Sequence, residues 1–179
     1  MEIESVLSQA CLAIFSLAVK RKNDRVHNGN TRKLVTKGAI ECVITAIQKY
    51  PADTTIQRAG AMAVASLGRL EANRIRLGGS GVCDLILHAF TAHPTSSPVL
   101  SKMAVAIDVL CQGDDVNKAK FANGGAIDFL LAAMHKHEKS PQFVGTKTVN
   151  STIDLVEETG CITFLPSTRW HQATSKTLT

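Results

Sequence analysis

Gly81-Val82-Cys83, standing between Gly38-Ala39-Ile40 and Gly125-Ala126-Ile127, decides how this chain folds. The three triplets start 43 and then 44 residues apart, and the register extends well beyond them. Asn30, Asn73 and Asn117 keep the same steps, as do Leu34, Leu77 and Phe121, and Lys33, Arg76 and Lys120. So do Ala46, Ala89 and Ala133, and Tyr50, His93 and His137. A period in the forties with helical patterning is the signature of stacked helical units, none of which buries its apolar face alone. The expected fold is therefore all-α, a right-handed α-solenoid, and the expected activity is binding along a surface.

The middle period shows the grammar of one unit. Asn73 reads as the N-cap of a short helix, Arg74 to Leu77, which Gly78-Gly79-Ser80-Gly81 then breaks. A second helix, Val82 to Ala92, carries Val82, Leu85, Ile86 and Ala89 on one face and stops at His93-Pro94, because the residue before proline disfavours the α region. A third helix is expected over about Val99 to Cys111, with Ala106, Val109 and Leu110 among its apolar positions. The neighbouring periods repeat this. Ile40 to Lys49, closed by Tyr50-Pro51, precedes Thr55 to Arg69, and Ala126 to His137 precedes Gln142 to Glu158.

One short and two longer helices, with glycine before the second, make a unit that resembles the armadillo repeat. The third-helix pattern of that family stands here as Ala61-Met62-Ala63-Val64-Ala65-Ser66-Leu67-Gly68 and again as Ala104-Val105-Ala106-Ile107-Asp108-Val109-Leu110-Cys111. A further copy is Cys11-Leu12-Ala13-Ile14-Phe15-Ser16-Leu17-Ala18. The resemblance implies an armadillo-repeat domain over 1–158: a third-helix remnant at 5–19, units at 30–69 and 73–112, and a degenerate terminal unit at 117–158. The two-helix HEAT repeat has an overlapping period and stays open as a rival. Polar and β-branched residues from Lys147 to Leu155 suit a capping unit, and Thr159 to Thr179, around the lone Trp170, reads as a tail of low order. The N-terminal copy lacks the two helices that precede the later ones, which leaves open whether the chain is a whole protein or a fragment of a longer array.

Composition is ordinary for a globular protein: 179 residues, 45% hydrophobic and 20% charged, with eight aromatic residues. The net charge of +5 is local. Lys20, Arg21, Lys22, Arg25, Arg32, Lys33 and Lys37 face a single acid, Asp24, so segment 20–37 alone carries +6. That segment reads first as a solvated inter-helix loop and second as a patch for nucleic acid or another anionic surface. The five cysteines include no C-x-x-C pair. They are expected to be reduced, with Cys42 and Cys83 filling aliphatic slots of the unit. Cys11 to Val19 is apolar enough for a signal-peptide core, yet acids precede it and Lys20-Arg21-Lys22 follow, the reverse of the usual order. No run approaches the roughly 18 to 20 apolar residues that span a bilayer. The expected compartment is the cytoplasm, with the nucleus as the alternative.

In the nuclear-import receptors of the armadillo family, a Trp and an Asn four residues later on each third helix clamp a basic peptide. The resemblance puts the Trp positions at Leu12, Met62 and Val105 and the Asn positions at Ser16, Ser66 and Val109, so neither residue type is kept. The candidate site is instead an apolar stripe with two serines and Arg58 at its edge, suited to a partner helix or an extended apolar peptide. His135 and His137 read as cations favoured at a helix C-terminus. No nucleophile motif, Walker loop or G-x-G-x-x-G occurs, and no enzyme activity, metal or cofactor is expected. The helix Ser5 to Val19 is expected to pack through Val6, Ala10, Ala13, Ile14 and Leu17. Leu7, Cys11, Leu12 and Phe15 would then be left for stacking on another polypeptide or a second copy.

Overall fold

The computed structural model describes residues 2–19 and 27–137, and among them it contains nine α-helices and no strand. They are α1 Glu2–Ala18, α2 His27–Thr36, α3 Ala39–Lys49, α4 Thr54–Leu67, α5 Glu71–Gly79, α6 Val82–Ala92, α7 Ser97–Cys111, α8 Asp115–Asn123 and α9 Ala126–Lys136. The helix expected over Gln142 to Glu158, the tail Thr159 to Thr179 and most of the basic loop lie outside the described residues.

Three equivalent turns set the course of the chain. Gly38, Gly81 and Gly125 each precede a second helix with φ of 85°, 79° and 82°, a left-handed conformation that costs an L-residue with a Cβ about 1–2 kcal/mol. The second helices end as the sequence implies. At Tyr50, His93 and His137 the backbone N–H bonds back to Ala46, Ala89 and Ala133. Asp53 caps α4 by accepting from the N–H groups of Thr55 and Ile56 at 2.8 and 3.0 Å. Asp114 caps α8 by accepting from Asn117 N–H at 2.9 Å.

Asn73 is not an N-cap. The short helix α5 begins two residues before it, at Glu71, so Asn73 lies inside the first turn with its side chain buried. Its Nδ2 donates to the carbonyl of Leu67, at the end of α4, at 2.9 Å. Asn117 does the same work one period on. Its Nδ2 lies 3.1 Å from the carbonyl of Leu110, at the end of α7, and 3.3 Å from that of Arg74. A Cβ on Gly78 would overlap Oδ1 of Asn117, so that glycine is required by close approach rather than by its backbone angles.

Packing builds outward from the third helices. α1 lies against α4 and α4 against α7, while α3 covers α4 and α6 covers α7. α4 is enclosed on most sides: Ile56, Gln57, Ala59, Gly60, Ala61, Ala63, Val64 and Leu67 are all buried. Its alanines and glycine let neighbouring backbones approach closely, and Gln57 Nε2 donates to the carbonyls of Ile47, in the last turn of α3, at 2.8 Å and of its C-cap Tyr50 at 3.0 Å.

Polar bonds also run from each period to the one before. His93 Nε2 lies 2.7 Å from the carbonyl of Pro51, which selects the tautomer with the proton on Nε2. The recurring basic position serves likewise: Arg76 pairs with Glu41 at 2.6 Å, and Lys120 Nζ donates to Gly78 O at 2.7 Å. The Glu41 carboxyl is held below its ordinary value, first by its own backbone N–H and then by Arg76. What that exposed pair contributes is present above the ordinary carboxylate range and is lost as pH falls through the lowered one.

Replacing Asn117 with Ala removes the amide donor from the buried carbonyl of Leu110 and from that of Arg74, and is expected to cost about 2 kcal/mol in urea unfolding. Gly78→Ala should cost a similar amount alone, but much less in the Asn117→Ala background, since the clash disappears with the amide. Additive losses would refute this account of the joint.

Candidate binding face on the third helices

Successive turns of one helix face carry Arg58, Met62 and Ser66 on α4, because residues four apart are neighbours on a helix surface. Leu12 and Ser16 take the same register on α1, as do Val105 and Val109 on α7. With α1 packed on α4 and α4 on α7, the three stripes belong to adjacent helices. Leu12, Met62, Val105 and Arg58 are half-buried, and Ser16 is exposed.

Two of these seven residues are not on the surface. Ser66 is 2% exposed and its Oγ donates to the carbonyl of Ala63 at 3.0 Å. Val109 is 5% exposed, with a methyl group against Gly68 at the end of α4. What stays accessible is an apolar ridge of Leu12, Met62 and Val105 flanked by Arg58 and Ser16. Such a ridge has no buried donor or acceptor to orient a ligand. It can recognise apolar shape but cannot impose a hydrogen-bonding pattern.

The sequence reading passed over Lys102 and Asp108. Both are half-buried on α7, and Asp108 accepts from Gln112 Nε2 at 3.5 Å. Their counterparts one period earlier are the buried Ala59 and Ala65, so a pair of opposite charges replaces two close-packing alanines. The period alone could have revealed that exchange.

Of the basic patch, Arg32 and Lys33 are exposed on α2, whereas Lys20, Arg21, Lys22 and Arg25 lie outside the described residues. His135 is exposed in the last turn of α9, and His137 forms its C-cap. Among the described residues no three His, Cys, Asp or Glu side chains gather where they could share a metal ion, and no helix is long and apolar enough to cross a membrane.

Thiol chemistry separates the described cysteines. Cys42 is exposed, contrary to the expectation from its repeat position; its counterparts Leu85 and Phe129 are only half-buried, so the slot sits at the rim of the core. Burial pushes the Cys83 thiol up to about 11 and that of Cys111 to about 12, and it raises Cys11 as well, with Cys42 adding to that rise. Buried thiols held in the protonated form are poor nucleophiles.

No protein-family model matches this chain, and no curated protein matches it significantly.

Brief treatment of the native protein with a thiol-alkylating reagent at neutral pH is expected to modify Cys42 and to spare Cys11, Cys83 and Cys111, as read by peptide mapping. Equal labelling of all four would contradict the packing described above.

Proposed function

We propose that this chain is a non-enzymatic interaction scaffold, a right-handed α-solenoid of armadillo-like units that binds a protein partner on its third helices. The observation that carries the reading is the shared register of Leu12, Met62 and Val105 on three successively packed helices, each side chain partly open to water. The partner would supply an amphipathic helix or an extended apolar peptide, and covering the ridge contributes roughly 25 cal/mol for each Å² of apolar area removed from water. Arg58 adds a charge at the edge and favours a partner with an acid beside its apolar residues. The cytoplasm is the compartment that fits such a scaffold with reduced cysteines.

A panel of fluorescent amphipathic and extended apolar peptides, titrated with the full chain across a salt series, tests the reading. Binding is expected to change little with salt and to weaken by about tenfold or more in Met62→Glu, where a carboxylate would have to be desolvated. Binding that falls steeply with salt, is met by oligonucleotides and survives Met62→Glu would instead assign the activity to the basic patch with Arg32 and Lys33.

A further inference from the structure

Five large hydrophobic side chains stand exposed among the described residues, and three of them, Ile3 at 66%, Val6 at 67% and Leu17 at 52%, belong to α1. Ala10 and Ala13 are exposed between them. Val6, Ala10, Ala13 and Leu17 follow one another at steps of four, three and four, which places them on a single face. Except at Ile14, this reverses the expectation from sequence. α1 packs through Ser8, Cys11 and Ala18, with Leu7, Leu12 and Ile14 against the core, and it leaves the Val6 and Leu17 side open.

The period shows what that side is built for. On α4 the matching residues are Ile56, Gly60, Ala63 and Leu67, and on α7 they are Val99, Met103, Ala106 and Leu110. All eight are buried. On α4 the cover is α3, whose Ile47 sits where a Cβ on Gly60 would be, and on α7 it is α6. α2 and α3 also pack on α1, yet Val6, Ala10, Ala13 and Leu17 stay exposed to water.

We propose that the Val6-Ala10-Ala13-Leu17 face of α1 is a docking site for one amphipathic helix of another protein, laid on α1 as α3 is laid on α4. It is a different side of α1 from the Leu12 and Ser16 ridge and does not depend on that ridge binding a partner. The internal covers define the chemistry of the occupant. α3 buries Ile40, Val43 and Ile47, and α6 buries Cys83, Ile86 and Phe90 in the same register. The docking helix therefore carries apolar residues at positions i, i+3 and i+7 and polar residues on its outer face. Its third apolar residue meets Ala10 rather than a glycine. The methyl of Ala10 takes up room that Ile47 fills over Gly60, so a helix laid as closely on α1 as α3 lies on α4 needs a smaller side chain there.

The test uses the full chain and two helix-constrained peptides: residues 39–50 of this sequence, and the same peptide with Ile47→Ala. The altered peptide is expected to bind more tightly in fluorescence anisotropy. Val6→Glu or Leu17→Glu in the protein should weaken it by about tenfold or more, because each buries a carboxylate under the peptide. Ile75→Glu, at an equally exposed hydrophobic position on α5, should leave binding unchanged. Ala10→Gly should shift the preference back toward the unaltered Ile47 peptide, with unchanged circular dichroism showing that every variant keeps its helices. The proposal is overturned if neither peptide binds, or if binding survives both glutamate variants. Sedimentation that shows a dimer abolished by Val6→Glu would assign the face to a second copy and overturn it too. So would slow labelling of Leu17→Cys in the monomer, which would mean the chain covers this face itself.

Discussion

A buried side-chain amide at the start of a short helix is the joint on which the arrangement turns. Asn117 sits between the end of α7 and the body of α5, where it donates to the carbonyls of Leu110 and Arg74. Carbonyls at a helix end have no partner within the helix and are costly to bury unpaired. Supplying the donor from the next helix fixes the angle at which the chain leaves. Asn73 makes the corresponding bond to Leu67, so two successive joints share one solution. The space for the second comes from Gly78.

Once the joints are set, the third helices have to pack side by side, and their composition follows. Ala59, Ala61, Ala63 and Gly60 keep α4 thin enough to be approached by α1, α3 and α7. Thin helices leave little on the surface. The accessible ridge is one aliphatic residue per helix, Leu12, Met62 and Val105, and the residues one turn beyond on α4 and α7 are drawn inside. Lys102 and Asp108, half-buried on α7 where α4 has the buried Ala59 and Ala65, show that the same register accepts charge.

α1 obeys the same geometry from the other direction. Its inner face buries Ser8, Cys11 and Ala18, as the matching face of α7 buries Ser101, Ala104 and Cys111. Its outer face keeps the large-small-small-large order that α4 hides under α3. A face patterned for cover and standing in water raises the free energy of the isolated chain. That cost is relieved when apolar area is removed from solvent.

The sequence by itself determined the positions of the turns. Gly38, Gly81 and Gly125 are local necessities of backbone conformation, and Tyr50-Pro51 and His93-Pro94 stop helices by local sterics, so reading along the chain finds them. The helical content and most helix boundaries followed from these. Tertiary structure alone decided which way side chains point. Asn73 has the local chemistry of an N-cap, but a carbonyl of the preceding helix was a better acceptor for its amide than its own first turn was a donor to its oxygen. Cys42 shares its register with apolar residues, yet the slot lies at the rim. α1 is apolar around most of its circumference, and periodicity cannot say which arc of such a helix is buried. The fold buries the arc with Cys11 and Ala18, whose small side chains let α1 close on its neighbours.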